Sequence, residues 1–328
     1  MEYYTKTSKG IKCLLCRHYC NLAEGQTGIC GVNKNENNTL KNLVYGKVAA
    51  LHTDPIEKKP LYHFLPGSSA LSIGTVGCNL KCPFCQNWEI SQVDSVPYQQ
   101  LVTPEQLIQM ALENHCRSIA YTYNEPTVFY PFAKDVAVLA KKHGLKNIFI
   151  SNGMESPEMI DDMMGVIDAF NIDLKSFNPV FYRAKLKGHL NSVLDTLKRL
   201  RKNKFWIEVT TLVIPDENDA PEELADIAGF ISSELGNDTP WHISAFYPQY
   251  KMSYKNRTPA QALQRAFDIG KQKGLRYVYK GNVAEQGITR CPSCQKELVI
   301  RSGYFITANY ISNGHCPVCN TKISGVWN

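Results

Sequence analysis

From Ala70 to Gly281 the chain alternates short apolar, β-rich runs with stretches of helical periodicity, the pattern of parallel βα units. The expected strands are Ala70 to Val76, Arg117 to Tyr123, Lys146 to Ser151, Val166 to Leu174, Phe205 to Val213, Trp241 to Tyr247 and Leu275 to Tyr279. The segments between them carry helix-start chemistry. Thr103-Pro104-Glu105 supplies an N-cap, a proline at the first helical position and an early acid, and Ser156-Pro157-Glu158 repeats the device. Gly144 and Gly274 sit where helices would end, just before the next strand. Apolar strands joined by helices build either a doubly wound sheet or a full or partial barrel, and periodicity does not choose between them. Pro66-Gly67 and Gln286-Gly287 mark the expected boundaries, dividing the chain into residues 1–67, 68–287 and 288–328.

The composition is that of an ordinary globular protein: 44% hydrophobic and 20% charged residues in a chain of 328 exclude disorder and a coiled-coil rod. No run approaches the roughly 18 apolar residues of a membrane span, and the opening residues lack the apolar core of a signal peptide. A cytosolic protein with no membrane contact is expected. The formal net charge of +6 is spread along the chain and makes no case for nucleic acid.

The 12 cysteines change the picture. In a reducing compartment their spacing reads as metal or redox chemistry rather than as disulfides. Cys13, Cys16, Cys20 and Cys30 open the chain, Cys78, Cys82 and Cys85 follow the first apolar strand, and Cys291, Cys294, Cys316 and Cys319 close it. Cys116 stands alone and reads as a small buried hydrophobe.

The central triad occupies a tight loop at the carboxyl end of the first strand, where ligands bind in barrels and in open α/β sheets alike. Soft thiolates select zinc or an iron–sulfur cluster, and three protein ligands leave one position open for a substrate or cofactor. Cys78-x3-Cys82-x-Phe84-Cys85 resembles the signature of the radical S-adenosylmethionine (SAM) enzymes. The resemblance implies an α/β fold, a partial (β/α)6 barrel of TIM type with an N-terminal cysteine-rich extension and a C-terminal zinc ribbon. It also implies a 4Fe-4S cluster on Cys78, Cys82 and Cys85, with SAM chelating its fourth iron. Phe84 would lie beside the adenine. Reductive cleavage of SAM would yield a 5′-deoxyadenosyl radical that abstracts hydrogen from a substrate.

Other strand ends supply groups that the resemblance would place near SAM. Tyr123-Asn124-Glu125-Pro126 stands where the superfamily usually carries Gly-Gly-Glu-Pro, and Glu125 would accept hydrogen bonds from the methionyl ammonium. Ser151-Asn152-Gly153 is similar to the polar turn near the SAM carboxylate or ribose, and Asp173-Leu174-Lys175 to the Asp-x-Lys of activating enzymes. His242 reads equally as a cofactor or acid/base residue and as a packed core histidine.

Cys13-Leu-Leu-Cys16-Arg-His-Tyr-Cys20, the stretch from Gly25 to Asn33, and Asp54-Pro55-Ile56-Glu57-Lys58-Lys59-Pro60 extend the likeness to nearly the whole chain. Together they resemble the radical SAM enzymes of the AmmeMemoRadiSam system, relatives of the pyruvate formate-lyase activating enzymes. That resemblance implies Memo-type and AMMECR-type partners and an electron donor such as flavodoxin or ferredoxin. The N-terminal cysteines have spacing for a four-thiolate site, with structural zinc, an auxiliary iron–sulfur cluster and unmetallated thiols as the competing readings. Lys58-Lys59 could hold an anionic substrate group or be solvated surface. Cys291-x2-Cys294 and Cys316-x2-Cys319 have the paired-knuckle spacing of a zinc ribbon, and about 40 residues would need metal to fold. Basic residues in this tail allow nucleic-acid contact, but protein docking or a structural role fits better without a dense basic face.

The expected function is therefore radical SAM chemistry on a peptide, a small molecule or a Memo-type partner. A glycyl-radical-enzyme activase is the alternative within that class. A zinc-binding adaptor or nucleic-acid-binding protein, with all three cysteine clusters structural, is the alternative outside it.

Overall fold

The computed structural model describes residues 2–93 and 95–328. The N-terminal part consists of small antiparallel units: β1 (Tyr4–Thr7), β2 (Gly10–Cys13) and β3 (Asn21–Leu22) form one sheet, and β4 (Asn33–Glu36) pairs with β5 (Thr39–Asn42). Then comes the central sheet of eight strands, β6 (Ala50–Pro55), β7 (Ser69–Gly74), β8 (Ser118–Tyr121), β9 (Lys146–Ser151), β10 (Ala169–Asp173), β11 (Trp206–Val213), β12 (Trp241–Ala245) and β13 (Val278–Gly281). Neighbours in this sheet are neighbours in sequence, with β6 and β13 at its two edges. β7 through β13 are parallel, while β6 runs antiparallel to β7.

The expected strands recur, most of them shorter. β10 begins at Ala169 rather than Val166, β12 stops at Ala245, and β13 is displaced toward Gly281. β6 was not anticipated and lies within the stretch read as an extension, so residues 1–67 are joined to the central sheet. Its sequence, ALHTDP, is mostly half-buried or exposed, as an edge strand permits, and so lacks an apolar run.

Helix-start chemistry operates as its residues dictate. Thr103 accepts from the Gln106 backbone N–H while the Gln106 side chain accepts from that of Thr103, a reciprocal capping box ahead of the helix Pro104–Glu113. Ser156 caps Pro157–Asp162 through the Met159 N–H. Helices cover the sheet over a ladder of aromatic rings: Tyr121, Phe149, Phe170 and Phe205 contact in succession at centroid distances of 5.3, 5.8 and 5.1 Å.

The tail folds as β14 (Gly287–Arg290), β15 (Glu297–Ser302) and β16 (Phe305–Asn309). It docks on residues 62–65 and on the end of the sheet: Val326 bridges to Phe64, His63 Nδ1 lies 2.7 Å from the Ser324 carbonyl, and Leu298, Val299 and Ile323 pack in one cluster with Tyr62, Tyr277 and Tyr279. Among the described residues no helix is long and apolar enough to cross a membrane.

Candidate active site

At the carboxyl ends of the parallel strands a cleft of about 840 Å³ collects Cys78, Cys82, Phe84, Cys85, Asn124, Glu125, Ser151, Asn152, Asp173, Lys175 and His242. The structure thus gathers every residue that the strand-end reading nominated around this triad. Their hydrogen bonds divide them into groups facing the cleft and groups that hold its loops.

Asn124 braces the cysteine loop. Its Oδ1 accepts from Thr75 N–H at 3.0 Å, and its Nδ2 donates to Thr75 Oγ1 and to the Gly77 carbonyl at 3.1 and 2.9 Å. Glu125 is similarly committed: Oε1 accepts from the Thr127 N–H and hydroxyl and the Ser151 hydroxyl, and Oε2 from the Asn152 N–H. Burial raises the Glu125 carboxyl above its ordinary value against the pull of these donors. The role expected for Glu125, accepting from the methionyl ammonium, meets oxygens already used to tie the ends of β8 and β9 together.

Asn152 reaches the thiols themselves, its Nδ2 lying 3.9 Å from Cys78 Sγ and 2.7 Å from Asn79 Oδ1. Leu80 N–H lies 3.4 Å from the same sulfur. Burial pushes the Cys78 thiol well above its ordinary value, with Glu125 and Cys82 adding to the rise. Cys82 is pushed up to about 12, mainly by burial, with the Lys175 ammonium pulling the other way. Such thiols lose their protons only when a cation arrives. Lys175 donates to Asp173 Oδ2 at 2.8 Å, and although burial lowers its pKa, the charges of Asp173 and Cys82 outweigh that and keep it cationic. Phe84 is buried and stacks on Phe181 at 6.4 Å between centroids.

The residues present suit a 4Fe-4S cluster with an open iron. Three thiols share one cleft, and the Cys78 sulfur is already met by two N–H donors. Among the described residues, no three cysteine, histidine or carboxylate atoms here lie within 4.8 Å of one another, in contrast to the tail thiols. A 4Fe-4S cluster would interpose its own atoms between the thiolates.

His242 is placed as a packed histidine at the cleft floor, its Nε2 2.6 Å from Glu208 Oε2. Glu208, buried on β11, also accepts from the N–H groups of Tyr62 and His63 and from the Trp206 indole. The Lys58-Lys59 pair divides: Lys58 is exposed and donates to Asp54 Oδ1 at 2.8 Å, whereas Lys59 is buried and donates to Oδ2 at 2.7 Å, where Tyr123 also donates at 2.8 Å. Burial raises the Asp54 carboxyl, but these three donors outweigh it and hold the group well below its ordinary value. Asp54 thus consumes the charge an anionic substrate would need from Lys59.

Thr210 was not anticipated. It lines the cleft from the middle of β11, and its buried hydroxyl has no protein partner. The usable signal was alternation: Glu208, Thr210 and Leu212 face one side of β11.

In the tail all four sulfurs of Cys291, Cys294, Cys316 and Cys319 lie within 4.8 Å of one another, a compact metal-binding geometry. The first four cysteines line a separate small cavity together with Thr127 and Val128.

Comparison with known proteins agrees with this geometry. The radical SAM superfamily pattern matches residues 72–228. An uncharacterized protein of Methanocaldococcus jannaschii is 40% identical over 331 residues, covering 98% of each chain. The pyruvate formate-lyase-activating enzyme of Listeria monocytogenes is 25% identical over 193 residues, 55% of this chain and 77% of its own. In fold, the chain resembles Streptococcus suis SuiB bound to S-adenosylmethionine, with a TM-score of 0.53 at 10% identity over 69% of this chain and 53% of that one. The chain belongs to the radical SAM superfamily and is an enzyme homologous to the pyruvate formate-lyase-activating enzymes.

Proposed function

We propose that this enzyme holds a 4Fe-4S cluster on Cys78, Cys82 and Cys85 and binds SAM beside it in the same cleft. When bound, the pair supplies reductive cleavage of the SAM sulfonium to a 5′-deoxyadenosyl radical, which takes hydrogen from a peptide, a small molecule or a Memo-type partner. The observation that carries this reading is the set of three thiols opening on one 840 Å³ cleft, with Cys78 Sγ met by the Leu80 N–H and by Asn152 Nδ2.

The chain's own residues then have definite tasks. Asn124 and the Glu125–Asn152 bond fix the loops that carry the thiols. Phe84, buried against Phe181, gives the cleft an apolar wall for the adenine. Asp173 and Lys175 offer a paired acceptor and donor to the zwitterionic and hydroxyl groups of SAM. Thr210 offers an unmet hydroxyl to the substrate. The compact tail thiols are assigned a structural zinc ion.

Anaerobically purified protein should be brown and, once reduced, should change its electron paramagnetic resonance signal on addition of SAM. A colourless protein, or a signal indifferent to SAM, overturns the reading.

The activating enzymes among the relatives favour a second reading, generation of a glycyl radical on a partner enzyme. A glycine-centred radical on a co-purifying protein after turnover would select it. Capture of Memo-type or AMMECR-type proteins, with hydrogen transfer from one of them to SAM-derived product, would select the first.

A further inference from the structure

The two outer cysteine clusters differ in scale. In the tail, Cys291 Sγ is 3.5 Å from Cys319 Sγ and Cys294 Sγ 3.6 Å from Cys316 Sγ. A tetrahedral zinc ion with Zn–S bonds of about 2.3 Å sets its sulfurs about 3.8 Å apart, so the tail is already shaped for one ion. The N-terminal thiols are not. Among the described residues no three of the sulfurs of Cys13, Cys16, Cys20 and Cys30 lie within 4.8 Å of one another.

They are nevertheless organised around a common centre. All four line one cavity, of about 10 Å³, whose remaining wall includes Leu15, Leu22 and Val128. Gly28 keeps its edge open: a Cβ there would sit 3.6 Å from Cys20 Sγ and 3.7 Å from Cys30 Sγ.

One sulfur has a donor held in place: Asn33 Nδ2 donates to Cys30 Sγ at 3.5 Å while holding the Val128 carbonyl at 2.8 Å. An N–H donor aimed at a sulfur in an apolar cavity suits a thiolate that shares the charge of a cluster.

We propose that Cys13, Cys16, Cys20 and Cys30 hold a second iron–sulfur cluster, with all four protein ligands present and no position open to SAM. The proposal stands independently of the chemistry assigned to the cleft. The two sites lie back to back. The Cys30 carbonyl would lie 2.6 Å from a Cβ on Gly77, the residue before Cys78, so only glycine, at φ +89°, admits this approach. The segment Glu125–Val128 is a shared partition, with Glu125 on the cleft side and Thr127 and Val128 on the N-terminal side.

The test is a metal count on the full-length chain, expressed and purified anaerobically. A C78A/C82A/C85A variant, which lacks the cleft ligands, should retain iron and acid-labile sulfide at about two to four of each per chain, with an iron–sulfur signal after reduction. The tail should account for about one zinc in every variant. A Cys16→Ser/Cys20→Ser variant should show the complementary loss, with iron and sulfide reduced to the content of the cleft cluster alone. A triple variant that is folded by circular dichroism but carries a second zinc, or no iron and sulfide, overturns the proposal. So does a Cys16→Ser/Cys20→Ser chain with the full iron content of the wild type.

Discussion

Glu125 Oε2 accepts a 2.9 Å hydrogen bond from the backbone N–H of Asn152, joining the ends of β8 and β9 behind the cysteine loop. With both carboxylate oxygens engaged, an amide cannot replace the group without pointing N–H at N–H. Glu125→Gln should therefore cost about 1–3 kcal/mol in urea unfolding, because a buried donor is left unmet. A variant as stable as wild type that has lost SAM binding would assign Glu125 to the ligand instead of to the loops.

Glu155 lies buried nearby with neither carboxylate oxygen hydrogen-bonded to protein. Burial, then the charge of Glu125, pushes its pKa up to about 8. The folded state therefore binds a proton that the unfolded state has released, from about pH 4.5 to about pH 8, and the contribution of this group to stability falls as pH rises through that window. Glu155→Gln should be within about 1 kcal/mol of neutral at pH 5 and stabilising by on the order of 4 kcal/mol at pH 8. Parallel stability curves for the two proteins across this range would contradict the assignment.

Arg301 fastens the tail to the body. Its guanidinium is fully buried, donates to the Tyr62 carbonyl at 2.7 Å and to Thr289 Oγ1 at 2.9 Å, and lies 3.6 Å from Glu57. Burial raises the Glu57 carboxyl above its ordinary value, with Arg301 opposing the rise. Arg301→Ala should destabilise by about 3–5 kcal/mol, since it leaves Glu57 buried without its counter-charge. The double variant Arg301→Met/Glu57→Gln should recover part of that loss; equal losses in the two would show that the pair is not coupled.

Removing the tail metal should loosen the same joint. Chelation is expected to lower Tm and to open residues 288–328 to proteolysis while cleft iron is retained, because so short a segment buries little apolar area of its own and gains much of its stability from an ion on its four clustered thiols. Unchanged protease resistance after complete zinc loss would show that docking on residues 62–65 suffices.

Much of this was legible before the structure. Apolar runs located seven parallel strands, Thr103 and Ser156 announced their helices, and the triad located the cleft. What the sequence hid has physical causes. A polar residue at a strand end can serve a ligand, the loop's own backbone groups or both with the same side chain, so no local pattern showed that Asn124 and Glu125 also hydrogen-bond to neighbouring loops. Arg301 and Tyr62 are 239 residues apart, and no local pattern predicts their meeting. Cysteine spacing is nearly the same for zinc and for iron–sulfur sites, and only the distances between sulfurs separate the tail from the N-terminal cluster.

The central claim is tested most directly by product. The anaerobically reconstituted, reduced protein is given SAM, and 5′-deoxyadenosine is measured by mass spectrometry beside a Cys82→Ala variant. The account predicts 5′-deoxyadenosine from the wild type and none above background from a variant with the wild-type circular dichroism spectrum. Equal production by the two proteins would contradict it.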